Sequence, residues 1–147
     1  MPIPDKEALM QFAKNYVELW NAHDLEAWIE NWRQVAPGEF RMLDPVGTPE
    51  KQGFKACAED PWKLFNDRVR FKHHNDIVFV NGNELAWVLE NQITTDGNTF
   101  IGKSIETFRF EEDGSVTIRT WYDVPERKPT ELGEMFQTYL PEEEQTE

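Results

Sequence analysis

Apolar positions along the chain fall into two regimes. Over residues 5–22, Leu9, Phe12, Tyr16, Leu19 and Trp20 recur at spacings of three and four, which is one face of a helix that Asp5 can cap. A second stripe, Leu25, Trp28, Ile29 and Trp32, follows Asp24 and ends before Pro37-Gly38. A strand is expected over 39–44, with a short partner over 48–52. A third helix over about 53–67 contains Pro61, which should kink or break it. Beyond it the pattern becomes extended. Strands are expected over 69–80, 84–95, 98–111 and 115–124, separated by the hairpin signals Asn81-Gly82, Asp96-Gly97 and Asp113-Gly114. After Pro129, the apolar face Leu132, Met135, Phe136 and Tyr139 predicts a short helix over about 130–140, and residues 141–147 read as an acidic tail.

Helices first and a meander of long strands afterwards predict an α+β fold, with the helices packed on one curved antiparallel sheet to make a cone around a pocket. Neither repeats nor a linker divide the 147 residues, so a single domain spanning 1–147 is expected, with its core over about 5–125. Hydrophobic residues make up 39% of the chain, yet 6 Trp and 10 Phe are among them. Few but bulky apolar side chains suit a core built around a cavity, although a compact core under a charged surface would have the same composition.

Charge removes several functions. Against 28 acidic residues stand 15 basic ones, a net charge of -13, which opposes binding to nucleic acid or anionic membranes. No apolar run approaches the ~20 residues of a membrane span. The start, Met1-Pro-Ile-Pro-Asp-Lys-Glu, lacks the charged and apolar regions of a secretion signal, and the lone Cys57 cannot form an internal disulfide; both fit a cytoplasmic protein. Cys57 reads as a small buried helix residue rather than a nucleophile. No metal site is expected, because His73 and His74 on one strand would face opposite ways. No phosphate loop or dinucleotide fingerprint appears, so no cofactor is expected.

The candidate chemistry centres on Phe40-Arg-Met-Leu-Asp44-Pro45-Val-Gly47-Thr-Pro49, continuing to Gly53. Pro45 biases the residue before it to extended geometry, so Asp44 is held at a strand end beside apolar neighbours. A general base is presented this way, and so is an ordinary turn-starting Asp. Tyr16 lies within the apolar stripe of the first helix, so its hydroxyl must find an interior partner or line a cavity.

Taken in order, these segments resemble the ketosteroid isomerases of the nuclear-transport-factor-2-like (SnoaL-like) superfamily. Ala13-Lys-Asn-Tyr16-Val-Glu-Leu19 resembles the segment carrying the family's oxyanion tyrosine, Asp24-Leu-Glu-Ala-Trp-Ile the start of its second helix, and Asp44-Pro-Val-Gly47 the segment of its general base. Glu106, in Ser104-Ile-Glu-Thr-Phe-Arg109, stands where the family has an Asp. The resemblance covers about residues 8–124. It implies a cofactor-independent enzyme shifting a double bond in a hydrophobic ketone, with Asp44 as base and Tyr16 and a neutral Glu106 as oxyanion donors. Glu106 is one methylene longer than the family's Asp, with Gly102 and Ser104 near enough to make room.

Two alternatives remain open at this point. Arg119-Thr-Trp-Tyr-Asp123 resembles the acidic strand end of limonene epoxide hydrolases and SnoaL-type cyclases, which would imply a polyketide cyclase, hydratase or epoxide hydrolase with Asp123, beside Arg119, as the acid/base. A non-catalytic ligand-binding or dimerisation module is the other. The expected pocket comprises Trp20, Trp32, Met42, Asn91, Ser104 and Trp121. The expected partners are a small hydrophobic ligand and a second copy of the chain in a homodimer, because the strands carry more apolar residues than one concave face can absorb.

Overall fold

The computed structural model describes residues 3–123; the expected helix over 130–140 and the acidic tail lie outside the described residues. Helix α1 runs Lys6–Asn21 and α2 Leu25–Val35. Each is capped as its sequence predicts, the Asp5 carboxylate accepting from the Ala8 N–H (2.8 Å) and that of Asp24 from the Ala27 N–H (3.2 Å). Strands β1 (Phe40–Leu43) and β2 (Lys51–Gln52) form a hairpin. A π-helical turn, Lys55–Glu59, then leads into α3, Asp60–Phe65. Glu59 and Asp60 keep helical backbone, so the two helices run on without a gap, and the change from π to α geometry falls beside Pro61, which has no N–H to give.

The remaining strands are β3 (Val69–His73), β4 (Phe79–Asn81), β5 (Glu84–Thr95), β6 (Asn98–Phe110) and β7 (Val116–Tyr122). The expected strand over 69–80 is divided in two. Asn75 and Asp76 take left-handed backbone (φ 55° and 56°), and the resulting turn lets β3 and β4 pair separately with β5. The sheet order is β2-β1-β7-β6-β5-β3, with β4 beside β5. The α+β class and the cone are as expected, but the sheet is mixed, because β1 runs parallel to β7. Hairpin signals report pairing between sequence neighbours, and β1–β7 joins opposite ends of the fold.

Helices α1 and α2 lie across the concave face. Register builds the inner rows of that face: Leu85, Phe108 and Ile118 in one, Trp87, Glu106 and Thr120 in the next, Leu89, Ser104 and Tyr122 in the third. Onto them pack Phe12, Tyr16 and Trp20 from α1 and Trp28 and Trp32 from α2, all buried. The end of α1 is fastened to β3. The Asn21 side chain donates to the Phe71 carbonyl (2.8 Å) and accepts from the Phe71 N–H (2.9 Å), acting as one more rung on an edge strand. The Trp20 indole donates to the Val69 carbonyl at 2.7 Å.

Replacing Asn21 by Ala removes both rungs and leaves the Phe71 amide half-buried without them. Urea unfolding of N21A should show a loss of about 1–2 kcal/mol with an unchanged m-value. A variant as stable as the wild type would mean that the edge of β3 is closed by other contacts.

Candidate active site

Asp44 directly follows β1. The chain around it is tied to β7 by the Val46 N–H donating to the Thr120 carbonyl (2.9 Å), and Gly53 closes the hairpin by donating to the Phe40 carbonyl (2.9 Å). Gly47 and Gly53 hold φ of 103° and 95°, backbone that a side chain would strain. One carboxylate oxygen of Asp44 accepts from the Tyr122 hydroxyl at 2.7 Å, and its main-chain carbonyl accepts from the Lys51 ammonium at 3.0 Å. Lys51 is itself buried, 4% exposed. Burial pushes the Asp44 carboxyl up to about 6, held back by the Tyr122 hydrogen bond and the Lys51 charge. Burial also lowers Lys51 below the ordinary lysine value, with Asp44 opposing.

Glu106 sits between Trp87 and Thr120 on the inner face, and the Trp87 indole donates to one of its oxygens at 2.7 Å. Burial and then the Asp44 charge raise Glu106 to about 8, against the smaller pull of the Trp87 bond. At neutral pH the two acids therefore differ: Asp44 is mainly carboxylate and Glu106 mainly neutral. Tyr16 projects from the middle of α1 into the same space. Its ring is stacked on Phe71 (centroids 5.8 Å apart, interplanar 6°) and tilted against Trp87 (5.1 Å). Burial, Glu106 and Asp44, in that order, raise its hydroxyl well above the usual phenol, so it stays protonated. Among the described residues this hydroxyl has no hydrogen-bond partner.

A cavity with about 90 Å³ of room joins the three groups, smaller than the several hundred Å³ of a drug-sized site. Of the residues expected in the pocket, Trp20, Trp32, Met42 and Asn91 line this cavity. Ser104 lies behind that wall, its hydroxyl accepting from the Asn91 amide at 3.0 Å. Arg119 and Trp121 are corrections: both face away from the cavity on the other side of β7, with the Arg119 guanidinium 5.1 Å from the Trp121 ring centroid. Antiparallel register explains this, since Phe110 pairs with Val116 and so even-numbered residues of both strands share the inner face. Asp123 reaches the rim and is exposed; its N–H donates to the Lys103 carbonyl at 3.1 Å. Burial pushes the Cys57 thiol to about 12, where it stays protonated.

Sequence reasoning missed Tyr122, Thr120, Lys51 and Trp87. The even-residue parity of the Phe110–Val116 turn would have found the first two. Lys51 and Trp87 carry no sequence signal beyond an unusual lysine in a two-residue strand. Among the described residues, no group of three or more His, Cys, Asp or Glu side chains converges as a metal site would require.

No family model and no curated protein matches the chain. Solved structures do. A protein of Jannaschia sp. CCS1 assigned to the SnoaL-like polyketide cyclases aligns with a TM-score of 0.64 and 18% identity over 84% of this chain and 89% of that one. SalBIII, an epoxide hydrolase/cyclase-like enzyme in pyran ring formation in the polyether salinomycin, gives 0.64 and 18% over 82% and 94%. A computationally designed 17-OHP binder gives 0.60 and 16% over 80% and 92%. The chain has the NTF2-like (SnoaL-like) fold. At these identities the likeness concerns the fold, and the chemistry of this NTF2-like cone rests on its own residues.

Burial of two acids makes stability fall as pH rises. Between about 4.5 and about 8 the folded Glu106 keeps a proton that the unfolded chain has released, and Asp44 does the same between about 4 and about 6. E106Q keeps an acceptor for Trp87 but cannot ionise. Its stability relative to wild type should therefore grow across that window, by on the order of 4 kcal/mol from pH 5 to pH 9. Urea melts at the two pH values measure this, and a difference that does not change with pH would exclude a buried neutral Glu106.

Proposed function

We propose that this chain is a cofactor-independent enzyme that moves a double bond in a small hydrophobic ketone by proton transfer, in the manner of a steroid delta-isomerase. One observation carries the reading: two buried carboxyl groups flank one buried phenol, and their environments separate them into a base near 6 and an acid near 8. Asp44 removes a proton from the carbon between the carbonyl and the double bond. Negative charge then moves to the ketone oxygen, where the Tyr16 hydroxyl and the protonated Glu106 donate to it. Asp44 returns the proton to the far carbon of the dienolate, so the electron pairs shift and no atom is gained or lost. Tyr122 occupies one oxygen of Asp44, which leaves the other for the substrate.

A second reading is an intramolecular cyclase, favoured by the names of the structural neighbours. The same base would form an enolate, whose carbon attacks a carbonyl of the same molecule. A version resting on Asp123 must use an exposed carboxylate at the rim with Arg119 on the outer face, so Asp44 is preferred.

Incubation with a β,γ-unsaturated cyclic ketone, followed by the absorbance of the conjugated product, tests the proposal. Activity against pH should be bell-shaped, lost below about 6 as Asp44 protonates and above about 8 as Glu106 ionises. D44N should lower kcat by roughly 10²–10⁴, and E106Q should keep activity while losing the alkaline limb. Activity indifferent to D44N would sink the isomerase, and a larger loss on D123N than on D44N would favour the rim carboxylate.

We also propose a homodimer in a reducing cytoplasm. The outer sheet face exposes Phe79, Ile101 and Ile105, each about half accessible, more apolar surface than a lone cone needs. Light scattering should give twice the 17.3 kDa chain mass. A monomer at micromolar concentration would contradict this.

A further inference from the structure

Strand β7 lies between β1 and β6, so Thr120 stands between the two strands that bring Asp44 and Glu106 to the cavity. Glu106 is directly across from Thr120. On the other side, the Thr120 carbonyl accepts at 2.9 Å from the N–H of Val46, just beyond Asp44. Opposed residues on one sheet face have Cβ atoms about 4.5–5.5 Å apart, close enough for Thr120 and Glu106 to hold one atom between them. The Tyr16 phenol reaches this row from α1, near enough to Glu106 and then Asp44 for both to oppose its ionisation after burial.

The Thr120 side chain has no task in the scaffold. It is 1% exposed and belongs to the cavity lining, and among the described residues its hydroxyl has no hydrogen-bond partner. Nor is that hydroxyl sealed away. The buried side-chain nitrogens and oxygens left with neither partner nor open space are the indole nitrogens of Trp28 and Trp32 and Nε2 of His73. Its polar neighbours are engaged: Tyr122 donates to Asp44 at 2.7 Å, and the Ser104 hydroxyl accepts from Asn91 at 3.0 Å. Valine has the same branched shape, suits a strand equally well, and would spare the fold a buried polar group without a partner. The hydroxyl is therefore available to whatever enters the cavity.

We propose that Thr120 is a catalytic residue whose hydroxyl is the third donor to the substrate oxygen that becomes the dienolate oxyanion, beside Tyr16 and Glu106. The proposal rests on the isomerase reading above. A ketone oxygen offers two lone pairs, which the phenol and the protonated carboxyl fill. The dienolate oxygen is negatively charged and accepts a third bond. A donor engaged at that stage stabilises the transition state more than the bound ketone, so it acts on kcat and not on affinity. No proton passes through Thr120. Its hydroxyl bonds to the oxygen as charge arrives, and lets go when Asp44 returns the proton to the far carbon. Thr120 and Glu106 stand on adjacent strands of one sheet, so two of the three donors share a rigid support.

Steady-state turnover of cyclohex-3-enone by the full chain tests this, followed by the absorbance of the conjugated product in wild type, T120V, T120S and D44N. T120V should lower kcat by roughly 10²-fold, with KM within about three-fold of wild type and both limbs of the pH profile in place. T120S keeps the hydroxyl and should lose less than about ten-fold. The urea midpoint of T120V should be no lower than that of wild type, because the change removes an unpartnered hydroxyl and keeps the branched shape. A kcat loss below about ten-fold in T120V, a loss carried by KM, an equal loss in T120S, or a lower midpoint would overturn the proposal. So would a limb that moves, since the hydroxyl would then serve Asp44 (acid limb) or Glu106 (alkaline limb) and not the substrate. The two readings fail separately. T120V as active as wild type with D44N inactive would remove Thr120 and leave the isomerase. D44N as active as wild type with T120V impaired would remove the base and leave Thr120 on the substrate oxygen, and a wild type that leaves the ketone unchanged would remove both.

Discussion

The rest of the structure depends on keeping two carboxyl groups out of water. An isolated ionised carboxylate is costly in an apolar interior, and the cost falls either by compensating the charge or by retaining the proton. The cone uses one solution for each acid. Asp44 has a phenol on its carboxylate and a buried ammonium on its main chain, so it ionises near 6. Among the described residues Glu106 has the Trp87 indole as its hydrogen-bond donor, weaker than burial plus the Asp44 charge, and keeps its proton to about 8. The Asp44 charge helps hold the second proton in place, so the two ionisations are coupled.

That pairing requires residues from opposite ends of the fold. Asp44 belongs to the β1–β2 hairpin and Glu106 to the meander, and the parallel β1–β7 contact brings them together. Through it the Val46 and Thr120 main chains bond, and Tyr122 reaches Asp44. Tyr16 comes from a third element, positioned because α1 is anchored to β3 by Trp20 and Asn21 just beyond it. Three elements thus converge on one small volume, and each is held by backbone-directed hydrogen bonds rather than by side-chain packing alone.

Much of this was legible where the signal is local. Helical spacing placed Tyr16 and the tryptophans on inner faces, and Pro45 with Gly47 and Gly53 marked Asp44 as a strand end. Glu106 was legible through its order relative to those segments rather than through its own surroundings. Arg119 and Trp121 were misplaced because alternation fixes which residues share a face but not which face; the turn length decides that, and Phe110–Val116 gives the even residues to the inside. Lys51 and Trp87 escaped because their roles exist only across the sheet. The division of β3 from β4 escaped because Asn75 and Asp76 tolerate left-handed backbone without requiring it.

The length of Glu106 sets which partner its carboxyl reaches. An aspartate there would carry its carboxyl one methylene closer to the β6 backbone. The longer side chain brings an oxygen within 2.7 Å of the indole of Trp87, the residue directly across β5 and β6. That bond occupies one oxygen, so a proton retained by the carboxyl sits on the other. Trp87 itself is packed between Tyr16, His73 and Phe108, so the anchor is rigid. The tryptophan that steadies the acid thus belongs to the aromatic packing that limits the space in front of it.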